Sequence, residues 1–465
     1  MPTDADIHDF ANDPLSFFAS SRHAMHTLPP QHLAELQLAA LRMRFAQLRD
    51  RLPVVRTMAD EQDVHEIRGL DDAAPLLFPH TVYKSYPPSL LLESRFDQLT
   101  TWLSRLTTVD LSGVDAAGCD SIDGWLDLLD THTELRPAHS TGTSGTMSFA
   151  PHAYDDFDKL YAIMRLDVFP DPGQRDEAID FVYPYFRTGR SGIARHGAAI
   201  MERIALDPDR VHTLHPGLAS ADVMFLAGRL RAAAARGERD RVVIPESMRK
   251  RREEFEEAQR AARSGMGDFV ERLADRLRGR RIVSLCTWDV NYRMAKAGLE
   301  RGIEGLFAPD SVYCWGGGSK DGSMPDDWED AARRFAGVPR LHHVYAMAEV
   351  TALNLFCAHG RYHIEPWTVL YVLDADTGQP LPRNGVRTGR AAFFDLLANT
   401  HWGGFVSGDE VTVDWSPCGC GRTSPGLEQS IGRFSERQGG DDKITCAAST
   451  EALGEALEFL NEELI

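Results

Sequence analysis

The sequence predicts an α/β protein: a layered, mainly parallel sheet wrapped by helices, followed by a small antiparallel β unit. Two observations predict it. Between about residues 150 and 340, short apolar runs alternate with helix-like stretches, the pattern left by strands joined through crossover helices. From 366 to 415 the pattern changes to apolar runs separated by tight polar turns, which is how antiparallel strands read.

Residues 1 to about 135 read as mostly helical. The stretch from His32 to Leu52 carries apolar residues at helical spacing, and Pro29-Pro30 and Pro87-Pro88 punctuate the region. A Ser/Thr/Gly-rich loop follows at 139–148. Phe181–Phe186, Arg281–Leu285 and Gly305–Asp310 are the candidate strands of the α/β part. Residues 247–281 are dense in Arg, Glu and Ala, and a solvated amphipathic helix is favoured there over a docking helix. Thr368–Leu373, a turn at Asp374–Gly378, Arg390–Phe394 and Glu410–Trp415 make the antiparallel unit. The expected division is 1–135, mainly helical; 136–365, the α/β nucleotide- and acid-binding core; 366–432, the small β unit; and 433–465, a short C-terminal stub.

Composition removes several function classes. A net charge of -19 argues against a nucleic-acid binder, which needs a basic face to neutralise phosphates. No apolar run is long enough to span a bilayer, and the first residues are acidic where a secretory signal is basic. The expected location is the cytoplasm, with no membrane partner. Seven cysteines in a chain of 465 residues are too few for a disulfide scaffold.

The most informative stretch runs from His139 to Ser148. Its glycines let backbone N–H groups approach an anion closely, and its hydroxyls add donors, so the loop suits the β- and γ-phosphates of a nucleotide. It is not a Walker loop, because no Gly-Lys-Ser/Thr follows. Val312–Lys320 reads as a strand entering a glycine turn, where a purine can stack on bare backbone. Tyr345 precedes Glu349 by four residues. Asp409 follows a glycine turn, placed to accept both hydroxyls of a ribose, and Gly432-Arg433 puts a guanidinium near the chain end.

Cysteines form a second pattern. Cys357, His359 and His363 precede Cys418-Gly419-Cys420. Two cysteines one residue apart, with a Cys and a His from a distant segment, can make a tetrahedral Cys₃His zinc site. Spacing alone leaves buried thiols as an equal alternative.

In this order and spacing, the nucleotide elements resemble the adenylate-forming superfamily of acyl-CoA ligases, luciferases and peptide-synthetase adenylation domains. The loop at 140–145 resembles that family's Thr-Ser-Gly-Thr-Thr-Gly loop, Tyr345–Glu349 its Tyr-Gly-x-Thr-Glu, Ser407–Asp409 its Thr-Gly-Asp, and Gly432-Arg433 its Gly-Arg. The Gly316–Lys320 turn and Cys418–Thr423 are most similar to the branch holding phenylacetate-CoA ligase and the acyl-protein synthetases of bacterial bioluminescence. The resemblance covers about 75–440 and implies the large N-terminal adenylation domain of that superfamily. It implies that Ser140, Thr141, Gly142, Thr143, Ser144, Gly145 and Thr146 hold the phosphates of ATP, with Thr143, Ser144 and Glu349 the catalytic set. Gly317, Gly318, Ser319 and Lys320 would border the adenine and Tyr345 would pack on the nucleotide. Glu349 would hold Mg²⁺, Asp409 the ribose hydroxyls, and Arg433 the ribose or phosphate. The same branch carries a Cys, a nearby His and a Cys-x-Cys at matching places. The implied zinc ligands are therefore Cys357, His363, Cys418 and Cys420, not His359, and with four protein ligands the zinc is structural.

Two departures stand out. Ala348 occupies the position where the family usually has Thr, and no Lys closes the phosphate loop. The family's C-terminal lysine domain is also expected to be absent or reduced to a stub, since few residues follow Arg433; Lys443 is a candidate substitute for its lysine. The expected activity is formation of an acyl-adenylate with release of pyrophosphate, then transfer of the acyl group to a small nucleophile, in a secondary-metabolism setting. Trp288, Tyr313 and Trp315 favour an aromatic acid, with Asp289 or His212 as candidate readers of a substituent. Two other readings stay open: an acyl-protein synthetase loading Cys446 for a reductase partner, and a degenerate nucleotide-binding scaffold. The sequence is compatible with a homodimer.

Overall fold

The computed structural model describes residues 2–79, 81–140, 146–242, 244, 249, 265–317 and 325–434. Its centre is a six-stranded sheet with spatial order Val211–Ala219, Asp180–Gly189, Ile282–Thr287, Val312–Gly316, His342–Tyr345 and Asn354–Leu355. All neighbours are parallel except the last pair. Apolar residues fill both faces because both are covered. Val182, Ile282, Tyr313 and Trp315 face one core, beneath the helices Met266–Leu277, Trp288–Leu299 and Trp328–Ala336. Phe181, Val283, Leu285 and Cys314 face the other, beneath the helices Tyr154–Val168 and Gly192–Ile200. A parallel sheet covered in this way reads as continuous apolar runs, which is why Phe181–Phe186 and Arg281–Leu285 were recognisable.

The third expected strand is not one. Gly305–Asp310 is a connection, and its N–H groups are used differently. Those of Gly305, Leu306 and Phe307 donate to the carbonyls of Arg334, Phe335 and Ala336, the last of the helix Trp328–Ala336. Leu306 and Phe307 are buried beside that helix, so the apolar run fills the core while its backbone caps a helix end.

The second sheet has seven strands. Its main path runs Arg361–His363, Gly426–Glu428, Gly404–Asp414, Val386–Asp395, Thr368–Leu373, all antiparallel. Phe78–Pro79 adds in parallel to Gly404–Asp414, and Gly432–Arg433 adds in antiparallel to the same strand. The expected turn at Asp374–Gly378 is present: the Asp374 carboxylate accepts the N–H groups of Asp376 and Thr377, and Gly378 turns the chain at φ +68°. Along Thr368–Leu373 the side chains alternate between two cores. Val369, Tyr371 and Leu373 pack with the N-terminal helices; Leu370 and Val372 pack towards Tyr345 and Tyr362. The helix Pro30–Leu48 supplies Leu36, Leu41 and Phe45 to the first of these, against Trp367, Phe394 and Trp402.

In the Arg/Glu/Ala-rich stretch, Met266–Leu277 is a helix whose Phe269, Val270, Leu273 and Leu277 are buried while its charged residues face outward. The preceding residues 250–264 lie outside the described residues. Among the described residues, no helix is long and apolar enough to cross a membrane.

Candidate active site

The phosphate-loop candidate leaves and rejoins the fold through a short antiparallel pair, Ala138–His139 with Phe149–Ala150. Ser140 N–H donates to Ser148 O at 3.1 Å, and Ser148 N–H donates to Ser140 Oγ at 3.0 Å. Tyr86 Oη donates to Met147 O at 2.8 Å from the buried side. The base of the loop is thereby fixed at both ends, with Ser140 and Thr146 flanking it. Thr141, Gly142, Thr143, Ser144 and Gly145 lie outside the described residues. On its other side His139 runs beside Arg190 and Ser191, its N–H donating to Arg190 O at 3.2 Å. The next residue, Gly192, abuts Ala348: a Cβ at Gly192 would sit 3.2 Å from the Ala348 methyl. Contiguous contacts thus lead from the loop base to the Tyr345–Glu349 segment. They also give a physical reason for a small residue at 348.

Tyr345 ends the parallel strand His342–Tyr345, and its ring is buried. Its Oη donates to Asp409 Oδ2 at 2.9 Å. Burial, with the Asp409 carboxylate beside it, holds the Tyr345 hydroxyl well above its usual pKa, so it stays a donor. Arg433 Nη1 lies 3.2 Å from Asp409 Oδ1, and the two residues are direct partners across the ladder. A register shift between Arg390 and Ala392 interrupts pairing opposite this point. Ser407 Oγ donates to Ala391 O and accepts the Asp409 N–H, which sets the Ser407–Asp409 turn. Three sequence candidates thus form one polar corner, graded from buried Tyr345 through half-buried Asp409 to exposed Arg433. Glu349 is half-buried on the following turn; burial, and after it the Glu349 carboxylate, raises the pKa of Tyr83.

The glycine turn lies alongside. Gly316 pairs with Val344, and a Cβ on Gly316 would come within 2.9 Å of Val344 O. Gly317 has φ +88°. Both features demand glycine. Gly318, Ser319 and Lys320 lie outside the described residues. Next to Gly317 is Thr287, whose N–H and hydroxyl both bond to Tyr185 Oη, and Trp288 follows it half-buried. Tyr313 and Trp315 are core residues; Trp315 stacks edge-on against Trp328 and His343. Asp289 pairs with Arg293. His212 bonds to Asp180 at the opposite, N-terminal edge of the sheet. Tyr313 is thus a core residue, and His212 sits at the end of its strand away from Gly317. Lys443 and Cys446 lie outside the described residues, as does the stub beyond Phe434.

The four cysteine-cluster candidates come together: one ligand atom from each of Cys357, His363, Cys418 and Cys420 lies within 4.8 Å of the others. Cys357 and Cys418 Sγ are 3.8 Å apart, and Cys420 Sγ is 3.3 Å from His363 Nε2. Two similar turns present the sulfurs: Cys357 N–H bonds to Arg361 O and Cys418 N–H to Arg422 O, with Gly360 and Gly421 at φ +82° and +89°. Burial drives the His363 imidazole down to about 4, so it is neutral and ligand-ready. Behind it Ser424 Oγ bonds both His363 Nδ1 and His26 Nδ1, at 3.4 and 3.1 Å. That orienting partner fixes which ring nitrogen faces the sulfurs. His359 is outside the set, its ring lying over Gly419. The donor set fits zinc in type, number and closeness.

Sequence reasoning did not foresee the Tyr345–Asp409 bond or the Ser424–His26 support; their partners are 64 and 398 residues apart. No local pattern connects them.

The arrangement of the two sheets is the fold seen in 2-hydroxyisobutyryl-CoA ligase. Three crystal structures of 2-hydroxyisobutyryl-CoA ligase are similar to this chain, each at 14% identity over 88% of it. The structure in an open conformation with 2-HIB-AMP and CoA has a TM-score of 0.51 and is covered over 72% of its length. The thioester-forming state with the same ligands has 0.50 and 70%. The post-adenylation state with R3-HIB-AMP has 0.50 and 69%. At this identity the likeness speaks to fold. No family profile matches the chain, and no curated protein matches it.

Proposed function

We propose that this chain is an ATP-dependent, AMP-forming carboxylic acid ligase. It joins a carboxylate to the α-phosphate of ATP, releases pyrophosphate, and passes the acyl group to a small nucleophile. The observation that carries this reading is the Tyr345–Asp409–Arg433 corner, adjoining through Ala348 and Gly192 the fixed base of a Ser/Thr/Gly loop. The fold shared with 2-hydroxyisobutyryl-CoA ligase supports it.

In this reading the Asp409 carboxylate accepts the two ribose hydroxyls, and Arg433 steadies that carboxylate and reaches the ribose or phosphate. Tyr345, with its hydroxyl committed to Asp409, offers its ring to the nucleotide. Gly317 and its neighbours Gly318, Ser319 and Lys320 give the purine a flat wall. Residues 140–146 supply N–H and hydroxyl donors to the β- and γ-phosphates, with Thr143 and Ser144 in the catalytic set beside Glu349. Glu349 holds Mg²⁺, whose charge offsets that of the phosphates. The attacking carboxylate needs only to lie in line with the departing pyrophosphate, so catalysis is mostly positioning and charge stabilisation. The acid lies beside Thr287 and Trp288 at the rim of the glycine turn. The aromatic character of that rim, Tyr185 with Trp288, favours a flat aryl acid.

Cys357, His363, Cys418 and Cys420 hold a structural zinc. With four protein ligands it has no open position for substrate, and it ties the loop after Asp414 to the Cys357–His363 segment.

Acid-dependent exchange of labelled pyrophosphate into ATP, across a panel of aryl, hydroxyalkyl and alkyl acids, tests the proposal. Exchange with aryl acids is expected. Absence of exchange with every acid, in folded protein that binds ATP, would leave the scaffold reading. A covalent acyl adduct on Cys446, seen by mass spectrometry, would favour the acyl-protein synthetase reading.

A further inference from the structure

Behind Glu349 lies a second constellation that nucleotide binding does not use. His152, Asp156 and His401 are all buried, with ligand atoms within 4.8 Å of one another. His152 follows the strand that leaves the phosphate loop. Asp156 stands in the first turn of the helix Tyr154–Val168, and His401 in the link before Gly404–Asp414. His152 Nε2 bonds to the carbonyl oxygen of Ala348, the residue preceding Glu349, across 196 positions of sequence. Its Nδ1 lies 3.3 Å from Asp156 Oδ2, which also accepts the Ala153 N–H at 3.0 Å.

The two bonds fix the proton inventory. A carbonyl oxygen only accepts, so Nε2 carries a hydrogen. An ionised carboxylate only accepts, so Nδ1 carries one as well. The ring is an imidazolium inside the protein. Burial alone would strip its charge, but the Asp156 contact outweighs burial and raises its pKa. Asp156 is correspondingly held below the usual carboxylate range despite its burial. Other charged groups face the pair. His401, with Nδ1 3.9 Å from Asp156 and its ring 5.1 Å from that of His152, is driven by burial to about 4 and is neutral. His196, bonded to Tyr161, is likewise neutral at about 4. Arg44 is the remaining cation, spent on the carbonyls of Leu396 and Ala11. The buried Asp395 accepts the Thr351 N–H at 2.7 Å and the Leu397 N–H at 2.9 Å.

Glu349 is thus bracketed. The carbonyl before it is tied to His152, and the N–H two residues after it is tied to Asp395. Gly192 presses on the Ala348 methyl from the side of the phosphate loop. We propose that the His152–Asp156 pair is a positioning device for Glu349: it fixes the 348–349 peptide so that the carboxylate meets the cation on the nucleotide. The proposal rests on the ligase reading above. His152 itself touches no substrate. Its effect passes through one peptide, where a displacement of an ångström is enough to spoil the alignment of reacting groups.

The test uses the full chain, its His152→Gln variant and Asp156→Asn as a second variant. Three quantities are measured: the Mg²⁺ dependence of ATP binding by calorimetry, the Mg²⁺ and pH dependence of pyrophosphate exchange, and the ¹⁵N shifts of the His152 ring. In wild type both ring nitrogens are expected to be protonated at pH 7, and activity to fall on the alkaline side as the ring loses its proton. In His152→Gln the Mg²⁺ requirement is expected to rise about tenfold, the effect typical of losing a partner that orients a metal ligand. KM for the acid should stay unchanged and the alkaline limb should disappear. Asp156→Asn should move the same readouts in the same direction. An active wild type, with a folded His152→Gln that keeps the wild-type Mg²⁺ requirement and pH profile, overturns the positioning role alone. So does a wild-type His152 ring with one bare nitrogen. A wild type that neither binds Mg·ATP nor exchanges pyrophosphate overturns the ligase reading, and the proposal with it.

Discussion

Two polar clusters depend on the strand Gly404–Asp414, and they are built on opposite plans. The Tyr345–Asp409–Arg433 corner is open: its members grade from buried Tyr345 to exposed Arg433, with the Asp409 carboxylate half-exposed between them. The cluster of Cys357, His363, Cys418 and Cys420 just past the strand end is closed, its four ligand atoms facing one another and the imidazole held from behind by Ser424. A closed set satisfies itself and serves the fold. An open set keeps a solvent-facing side on which a ligand can replace water. The comparison therefore makes a sharp claim: damage to the corner should cost activity at constant stability, and damage to the cluster should cost stability at nearly constant activity per folded molecule.

The strongest way to break the comparison is Asp409→Ala. On the proposed reading two ribose hydroxyls lose a charged acceptor, at roughly 1.5–3 kcal/mol for each bond, so exchange activity should fall at least about a hundredfold, chiefly through KM for ATP. The melting temperature should move by no more than about 2 °C, since Asp409 is half-buried and its partners can turn to water. A large loss of stability would show the corner to be structural after all.

Cys418→Ser is the mirror experiment. On the zinc reading it should release the metal, as read by elemental analysis, and lower the melting temperature by at least about 5 °C, or roughly 2 kcal/mol for a domain of this size. Pyrophosphate exchange per folded molecule, measured well below the new melting point, should stay within about threefold of wild type. A metal-free variant with unchanged melting would remove the structural role assigned to the cluster.

Acid sharpens the comparison from the nucleotide side. His139, at the base of the Ser/Thr/Gly loop, and His401 are buried and His196 is half-buried, and desolvation drives each down to about 4. The unfolded chain takes up protons on these rings near pH 6.5 and the folded chain only near 4. Their stabilising contribution is complete above about 6.5 and is lost as pH falls through that window. Denaturant melts at pH 7 and pH 5 should differ by about 2 kcal/mol or more, with pH 5 the less stable. Equal stability at the two values would mean that these rings are protonated in the fold.

What the sequence made legible follows from the range of the physics. Strand runs such as Phe181–Phe186 and Thr368–Leu373 could be read because each is buried on both faces, which leaves an apolar signature in a few consecutive residues. Gly305–Asp310 carries the same apolar signature, but its N–H groups answer to a helix end some thirty residues away, and no local pattern records that. The site behaves likewise. The loop at 139–148, the glycine turn and the Cys-x-Cys pair are local and stood out. The proton inventory of His152 depends on a carbonyl 196 positions away, and the orientation of His363 on Ser424, 61 away; both were invisible.

The smallest effect gives the finest cut between open and closed. Tyr345→Phe keeps the ring, its packing against Phe393 and Tyr362, and any stacking on the nucleotide; it deletes only the hydroxyl that donates to Asp409. A hydrogen bond to a carboxylate contributes about 1.5–3 kcal/mol, but water can replace the lost donor because Asp409 is half-exposed. The net effect should fall below that range, at about threefold to tenfold in KM for ATP. If the hydroxyl serves to aim the carboxylate, kcat should hold while KM rises, because the ribose contact is made equally in the ground and transition states. A fall in kcat with unchanged KM would instead put the Tyr345 hydroxyl among the groups that meet developing charge, and would move Tyr345 from the nucleotide's wall to the reacting phosphate.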